Sequence, residues 1–231
     1  MNSGFDGAVL AASGIRKKFR SPGGGEIEVL RGAEISLRRG ESLSLRGESG
    51  AGKTTFLNIL AGLEAPDSGE VYWDGARVDN LSNARQARLR GGFMGFVFQN
   101  YCLVQELDAV GNVCLAARIA GEYSAASKAR ARELLERVGL KDRMRHLPSQ
   151  LSGGEKQRVA VARAIMNSPR VILADEPTGN LDERTASEVM DMFLSLCRER
   201  DTALLLITHN PDFAKLTDRR VVLSAGIASE Q

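Results

Sequence analysis

The segment from Gly47 to Thr54 has the residue types and spacing that bind the phosphates of a nucleotide. It runs Gly-Glu-Ser-Gly-Ala-Gly-Lys-Thr and fits the pattern G-x-x-x-x-G-K-[ST]. Glycines let successive backbone N–H groups turn toward one anion, and a following helix adds its positive N-terminal end. The lysine of such a loop reaches the β- and γ-phosphates, and the threonine hydroxyl binds Mg²⁺. The alternative is a glycine-rich turn without a ligand, but the segment lies between a predicted strand and a predicted helix. We therefore predict a nucleotide-binding loop formed by Gly47, Glu48, Ser49, Gly50, Ala51, Gly52, Lys53, Thr54 and Thr55.

Two adjacent acids follow an apolar run further along the chain. Residues 171–174 are Val-Ile-Leu-Ala, and Asp175 and Glu176 come next. Carboxylates at the end of a buried strand are costly unless they bind something; the alternative is a solvated strand end. With a phosphate-binding loop upstream, we predict that Asp175 binds Mg²⁺. Glu176 is then placed to orient or deprotonate the water that attacks a phosphate.

A second candidate anion site is the segment Ser152-Gly153-Gly154-Glu155. A serine followed three residues later by a glutamate is a capping box, which predicts that a helix starts here. Two glycines in a first turn cost helix stability, but they leave the N–H groups of the helix tip uncovered. Because the first loop already holds the phosphates of one nucleotide, we expect Ser152, Gly153 and Gly154 to face the γ-phosphate of a nucleotide bound by another copy. The alternative is a plain capped helix.

The elements that would position these residues alternate between strand and helix. The first forty residues are β-rich, with apolar stretches at 27–30 and 35–37 and a loop at 21–25. Later patterns predict strands at 42–46, 71–74, 95–99, 171–175, 203–208 and 221–223, and helices at 53–61, 125–138, 152–167 and from about 182. Such alternation favours a parallel sheet in an α/β fold, with residues 105–150 as a candidate helical subdomain.

Composition limits the class of protein. The 231 residues are 43% hydrophobic and 26% charged, as in an ordinary folded globule, and the net charge of +2 does not support a dedicated nucleic-acid binder. Apolar stretches such as 203–207 are far shorter than the ~18 to 20 residues that span a bilayer. The N-terminus, with Asp6, lacks the basic segment of a secretory signal. Three scattered cysteines fit a reducing cytoplasm.

With these motifs in this order, nearly the whole chain resembles the ATP-binding subunit of an ABC transporter. The signature of that family corresponds to residues 151–158, and its Walker B pair to Asp175 and Glu176. By residue type alone, an aromatic such as Phe19 could be a core residue, Gln99 a strand-end amide and His209 a structural histidine. The resemblance instead makes Phe19 the aromatic that stacks on adenine, Gln99 the coupling-loop glutamine, residues 179–182 the loop that crosses a dimer interface, and His209 the switch histidine.

The resemblance implies a fold and a mechanism. The fold is α/β: a P-loop NTPase core with a parallel sheet, an N-terminal antiparallel β subdomain and an inserted α-helical subdomain at about 100–160, all within one ATP-binding domain over 1–231. Two copies bind two ATP molecules head to tail. Glu176 polarises the attacking water, His209 steadies the transition state, and Lys53 and Gln99 complete the catalytic set. Mg²⁺ is held by Thr54, Gln99 and Asp175.

The resemblance also implies partners. Since the chain has no predicted membrane span, integral membrane permease subunits would be encoded separately. We expect a peripheral protein at the cytoplasmic face of the inner membrane, a homodimer in the ATP-bound state, and no nucleic-acid partner. Gly111-Asn112-Val113 departs from the Glu-Asn-Val that relatives usually have in the region that meets the permease.

The loop after the Walker B pair points to a subfamily. Residues 174–182, Ala-Asp-Glu-Pro-Thr-Gly-Asn-Leu-Asp, are similar to the ATPases of lipoprotein release, macrolide export and cell division. Lipoprotein release is our expectation, and macrolide or peptide efflux or cell-division mechanotransmission is the alternative. A soluble ATPase acting on DNA or ribosomes is a further alternative. Only about 100 residues without sustained heptads separate Gly52 from Ser152, which argues against it.

Overall fold

The structure is a computed structural model that describes residues 7–20 and 24–231. Asp6 and the first part of the loop predicted at 21–25 lie outside these residues. The chain divides into two compact units. The first contains the described residues up to Arg90 together with Ala203–Gln231, and the second contains Gly91–Thr202. The elements, in chain order, are β1 (Ala8–Arg20), β2 (Glu26–Arg38), β3 (Ser42–Arg46), α1 (Lys53–Leu60), β4 (Ser68–Trp73), β5 (Ala76–Arg77), α2 (Asn83–Phe93), β6 (Met94–Phe98), α3 (Ala109–Ile119), α4 (Ala125–Arg137), two 3₁₀ turns (Lys141–Arg143 and Pro148–Gln150), α5 (Gly153–Ile165), β7 (Val171–Asp175), α6 (Glu183–Glu199), β8 (Ala203–Ile207), α7 (Pro211–Lys215), β9 (Arg219–Ser224) and β10 (Ile227–Glu230).

An antiparallel sheet forms one part of the first unit. Its strands lie in the order β2-β1-β4-β5. The inward side chains of β1 and β2, such as Leu10, Ile15, Leu30 and Leu37, are fully buried. The predicted β-rich character of this part of the chain is confirmed for the described residues, and the apolar stretches at 27–30 and 35–37 both lie in the single strand β2. Pairing with β1 continues through register shifts between them.

Parallel strands form the other part of the first unit, in the order β10-β9-β3-β8. Strand β3 pairs in parallel with both β8 and β9, and β10 is antiparallel to β9. Strand β8 is buried along its whole length, as expected for a strand covered on both faces. Helix α1 follows β3 and buries Phe56, Leu57, Ile59 and Leu60.

The second unit combines two parallel strands with four long helices. Strands β6 and β7 pair in parallel, so that Phe98 lies beside Asp175 at their carboxyl ends. Helices α3, α4 and α6 each pack against α5. One face of α6 is buried through Val189, Met190 and Phe193, as its apolar spacing predicts.

The predicted α/β class is confirmed, and the missed elements have physical explanations. Helix α2 was not predicted, because its only buried residue is Gln86 and its sequence therefore lacks the apolar period that indicates a helix. The charged run Arg16-Lys17-Lys18 lacks the apolar pattern of a strand but forms the end of β1. Its cations pair with acids, including Arg16 with Glu28 across the strands. The sequence also missed α3, α7 and β10. Among the residues that the structure describes, no helix is both long and apolar enough to cross a membrane.

Candidate functional site

The predicted phosphate-binding loop connects β3 to α1 in the first unit. Gly50 and Gly52 have φ angles of 80° and 96°, in the left-handed region that favours glycine. A Cβ atom at Gly47 would lie 2.4 Å from the carbonyl oxygen of Leu223, and one at Gly52 would lie 2.7 Å from Cγ1 of Val29. The glycines are therefore required by backbone conformation or by space, as a tightly curled loop demands.

Lys53 is the first residue of α1, and its ammonium group lies on the loop. Nζ donates to the carbonyl oxygens of Gly47 at 2.8 Å and Glu48 at 2.9 Å. No side chain caps the helix at Gly52 and its first turn contains no acidic residue, so the positive N-terminal end of the α1 dipole points at the loop. Thr54 is exposed and Thr55 is half-buried in the first turn. The arrangement provides a cation and a helix N-terminus at one place, which suits a phosphate anion.

The loop and the predicted switch histidine share one cavity. Its volume is about 600 Å³, and His209 lies on its wall. His209 follows the carboxyl end of β8, next to the strand that leads into the loop. The structure thus brings together two motifs that are far apart in sequence. The wall consists of Arg46, Gly47, Glu48, Ser49, Gly50, Ala51, His209, Val222, Leu223, Ser224, Ala225 and Gln231.

Phe19 is not a core residue. Its side chain is 40% exposed near the end of β1. The ammonium of Lys17 lies 5.4 Å from the ring centroid, close enough for a cation–π contact. An exposed ring at this position is compatible with base stacking, which stays a prediction.

The second unit carries the acidic pair. Strand β7 ends at Asp175, and both Asp175 and Glu176 are half-buried. Glu176 has a φ of 47°, which is left-handed and uncommon for a residue with a side chain. Such a conformation costs about 1–3 kcal/mol and occurs preferentially at functional sites. The left-handed backbone at Glu176 is held by a tight turn, in which the N–H of Gly179 donates to the Glu176 carbonyl at 3.0 Å.

Gln99 lies at the same end of the second unit as the acids. It follows β6, whose last residue, Phe98, is paired with Asp175. The Nε2 of Gln99 donates to Oδ1 of Asn180 at 3.2 Å, and Nδ2 of Asn180 donates back to the Gln99 carbonyl at 3.0 Å. A Cβ at Gly179 would lie 2.7 Å from Nε2 of Gln99. The structure therefore joins Gln99, the predicted coupling-loop glutamine, to the predicted interface loop 179–182.

The predicted helix start at Ser152 is confirmed. Its Oγ accepts from the N–H of Glu155 at 3.2 Å, and Glu155 Oε2 accepts from the N–H of Ser152 at 2.8 Å. Glu155 also pairs with Nε of Arg143 at 3.0 Å. The backbone hydrogen bond from Ser152 is the main cause that lowers the pKa of Glu155. Ser152 itself is exposed at the tip.

The two glycines of this helix tip have a packing role that the sequence did not reveal. A Cβ at Gly154 would lie 2.5 Å from Cγ2 of Thr185, and one at Gly153 would lie 3.1 Å from the hydroxyl oxygen of Tyr101. The argument that only an anion site needs these glycines is therefore incomplete, because contacts within the chain exclude side chains too. Their role toward a phosphate stays a prediction.

Two polar side chains make hydrogen bonds to the backbone that follows Gln99, and the sequence predicted these contacts for neither. Asn112 is fully buried; its Oδ1 accepts from the N–H of Val104 at 2.8 Å, and its Nδ2 donates to the carbonyls of Val104 at 3.0 Å and Leu107 at 2.8 Å. Arg163 donates to the carbonyls of Tyr101 and Cys102. A polar residue within an apolar helical face was the available signal for Asn112, whereas Arg163 gave none.

Comparison with known proteins agrees with this geometry. Residues 30–179 match the family model described as ABC transporter. The chain therefore belongs to the ABC transporter family, in which it is an ATP-binding subunit with ATPase activity.

Individual relatives cover almost the full length. The chain is 47% identical over 221 residues to the lipoprotein-releasing system ATP-binding protein LolD of Paramagnetospirillum magneticum, covering 96% of this chain and 97% of the relative. It is 46% identical over 215 residues to the uncharacterized ABC transporter ATP-binding protein YbbA of Escherichia coli K12, covering 93% and 94%.

Solved structures show the same fold. The dimeric structure of MJ0796, a bacterial ABC transporter cassette, has a TM-score of 0.87 and 35% identity, covering 96% of this chain and 97% of that one. A post-hydrolysis state of MJ0796, bound to ADP and Pi, also gives a TM-score of 0.87, with 34% identity.

Proposed function

We propose that this chain hydrolyses ATP to power a separate membrane permease that releases lipoproteins from the inner membrane. The observation that carries the catalytic part is the cavity shared by the loop at 47–51 and His209. The lipoprotein cargo is supported by the names of relatives such as LolD, which are similar over nearly the whole chain. The protein would act at the cytoplasmic face of that membrane, as a peripheral subunit without a nucleic-acid partner.

Each predicted residue has a role in this reaction. Lys53 and the backbone N–H groups of residues 47–55 bind the β- and γ-phosphates, and Phe19 stacks on the adenine. Glu176 accepts a proton from the attacking water or orients it. His209 donates a hydrogen bond to the γ-phosphate, and Gln99 senses the state of the site.

The expected Mg²⁺ has suitable donors. Thr54, Asp175 and Gln99 offer a hydroxyl, a carboxylate and an amide oxygen, the hard oxygen ligands that Mg²⁺ prefers. Because the Nε2 of Gln99 already donates to Asn180, its oxygen is the atom left to face a cation. When bound, Mg²⁺ would neutralise charge on the phosphates. It would keep several waters and need only one or two of these protein ligands.

A second copy would complete each site. Ser152 is exposed at the tip of a helix of 13 residues, and Gly153 beside it carries no side chain. In the proposed head-to-tail dimer, this tip binds the γ-phosphate held by the loop of the other copy. The similar cassette MJ0796 has a dimeric structure, which supports the association of two copies. ATP then stabilises the closed dimer by its differential affinity for that state, and hydrolysis loosens it.

The test is the variant Glu176→Gln, which removes the proton acceptor but keeps the size of the side chain. We expect ATP turnover to fall at least about a hundredfold, while ATP binding is retained. ATP should convert the variant from monomer to dimer in size-exclusion chromatography. The control Glu183→Gln changes an exposed acid at the start of α6, outside the pair, and should hydrolyse ATP normally. A monomeric and fully active Glu176→Gln protein would contradict the mechanism.

The same trapped variant tests the partner. Purified with ATP from solubilised membranes, it should carry permease subunits, and lipoprotein should accumulate in the inner membrane of cells that depend on it. Recovery of a permease without an effect on lipoprotein localisation would refute the cargo while leaving the ATPase mechanism in place.

A further inference from the structure

We propose that Arg163 is a positioning residue that fixes the segment Gln99–Cys102, here called the coupling segment, to helix α5. The inference rests on the proposed function, because Gln99 is a predicted participant in ATP hydrolysis. Arg163 lies in the last turn of α5, whose first turn carries the signature glycines. The position of Gln99 would thus be set by the helix that also carries the signature tip.

The backbone of the coupling segment adopts a conformation that needs external support. Tyr101 and Cys102 have φ angles of 58° and 48°, so two successive residues with side chains are left-handed. Residues with side chains rarely adopt this region even singly, and a strained backbone persists only where the surroundings hold it. Neither residue is a glycine, and neither belongs to a helix or a strand.

Arg163 supplies that support. Its Nη2 donates to the Tyr101 carbonyl at 2.7 Å, and its Nη1 donates to the Cys102 carbonyl. The planar guanidinium presents two donors in a fixed fork, which suits two adjacent carbonyl oxygens. Burial lowers the pKa of Arg163 from its ordinary value, and its hydrogen bond to the Tyr101 carbonyl is partly buried, whereas the bond to the Cys102 carbonyl is exposed.

Two further contacts fasten the same segment. Asn180 donates to the Gln99 carbonyl at 3.0 Å and to Oδ1 of Asn100 at 3.1 Å. The hydroxyl oxygen of Tyr101 lies 3.1 Å from the position of a Cβ atom on Gly153, at the tip of α5. The coupling segment therefore touches α5 at its first and last turns. Loss of Arg163 would remove the hydrogen bonds to the Tyr101 and Cys102 carbonyls. The hydrogen bonds from Asn180 would remain.

A native cysteine provides a local probe. Cys102 is exposed, whereas Cys114 and Cys197 are buried. Burial raises the pKa of both buried thiols, that of Cys197 to about 12, so neither should react near neutral pH while the fold is intact. A maleimide should therefore modify Cys102 alone, and its rate should report how firmly the coupling segment is held.

The first experiment measures that rate in Arg163→Met and Arg163→Lys. Loss of two carbonyl hydrogen bonds lets the left-handed backbone that presents the exposed Cys102 thiol relax, so the labelling rate should change by about twofold or more in Arg163→Met. Arg163→Lys, which can reach one carbonyl, should show a smaller change. Labelling should stop at one thiol per chain, because the fold remains intact.

Arg130→Met is the matched control. Arg130 also clamps backbone in the second unit, donating to the Met166 carbonyl at 2.8 Å and to Oγ of Ser168 at 2.6 Å, but it does not hold the coupling segment. Its labelling rate should equal that of the wild type. Equal rates in the wild type and both Arg163 variants would overturn the proposal, as would labelling of all three thiols in Arg163→Lys.

The second experiment tests whether Arg163 acts through Gln99. Turnover is measured for Arg163→Lys, Gln99→Ala and the double variant. We expect the Arg163→Lys change to lower kcat several-fold, to change the KM for ATP less than about twofold, and to have no further effect once Gln99 is alanine. Multiplying effects in the double variant would refute action through Gln99. A wild-type protein without ATP turnover would instead refute the proposed function, whatever the labelling shows.

Discussion

Single residues at the start of α5 have both a structural and a chemical explanation. Gly154 must be glycine because a Cβ atom would collide with Thr185 of the same chain. The hydroxyl of Ser152 accepts the N–H of Glu155 and so already caps the helix. The cap forms without a ligand, so in the proposed dimer a phosphate would bind to this tip without reorganising the helix.

The charge of Glu155 leads to a prediction of pH dependence. A lowered pKa in the folded state means that its ionised form stabilises the protein above the unfolded pKa and that this stability is lost as the pH falls through the folded value. Glu155→Gln keeps a side chain that can close the capping box but removes the charge. We expect the wild type to be about 1 kcal/mol more stable than Glu155→Gln at pH 7. The difference should shrink once the pH falls below about 4. Urea unfolding at a series of pH values measures it, and a difference that does not vary with pH would contradict the assignment.

At the scale of elements, the second unit depends on the close approach of α5 to β6. A Cβ atom at Gly95 would lie 2.3 Å from the Ala164 carbonyl oxygen and 3.2 Å from Cγ1 of Ile172. Because the nearest atom belongs to a helix backbone, it cannot move aside without shifting α5. The same helix carries the signature tip and Arg163, so this contact sets the position of both relative to β6.

Gly95→Ala should therefore destabilise the protein by about 2 kcal/mol or more, since overpacking against backbone forces the helix away from the strand. Chemical denaturation measures the change. Gly92→Ala is the control, because a Cβ there meets nothing within 4 Å and alanine favours the helix by up to about 1 kcal/mol. If both variants lost the same stability, space at Gly95 would not be the cause.

At the scale of the whole molecule, each nucleotide site of the proposed dimer takes its loop from one copy and its helix tip from the other. The loop with Lys53 lies in the first unit and the tip with Ser152 in the second. A head-to-tail arrangement pairs the loop of one copy with the tip of the other. Defects in the two motifs should then complement each other between copies.

Lys53→Ala and Ser152→Arg should each abolish ATP turnover when purified alone. Ser152→Arg should still bind nucleotide at its loop, because Lys53 and the other loop residues are unchanged. In an equimolar mixture, about half of the dimers are mixed, and one of the two sites in each mixed dimer has an intact loop and an intact tip. Turnover should return to as much as about a quarter of the wild-type rate if single sites work independently. No recovery in a mixture that forms mixed dimers would argue against sites shared between copies.

Local sequence signals determined the phosphate-binding loop, several elements and the family of this protein. The glycine loop, the apolar runs of β3, β7 and β8, and the capping box of α5 act over a few neighbouring residues, so each could be predicted with its position. The order of these motifs also determined the family, and the candidate residues from Gly47 to His209 follow from it.

Only the tertiary structure decided how distant segments support one another. It placed His209 in the cavity of the loop, showed that Thr185 requires a glycine at 154, and paired Arg163 with the Cys102 carbonyl across 61 positions. A single sequence carries no signal for such pairs, because the hydrogen bond or close contact exists only once both segments are folded. Local patterns determine what an element can do, and packing determines which partner holds it there.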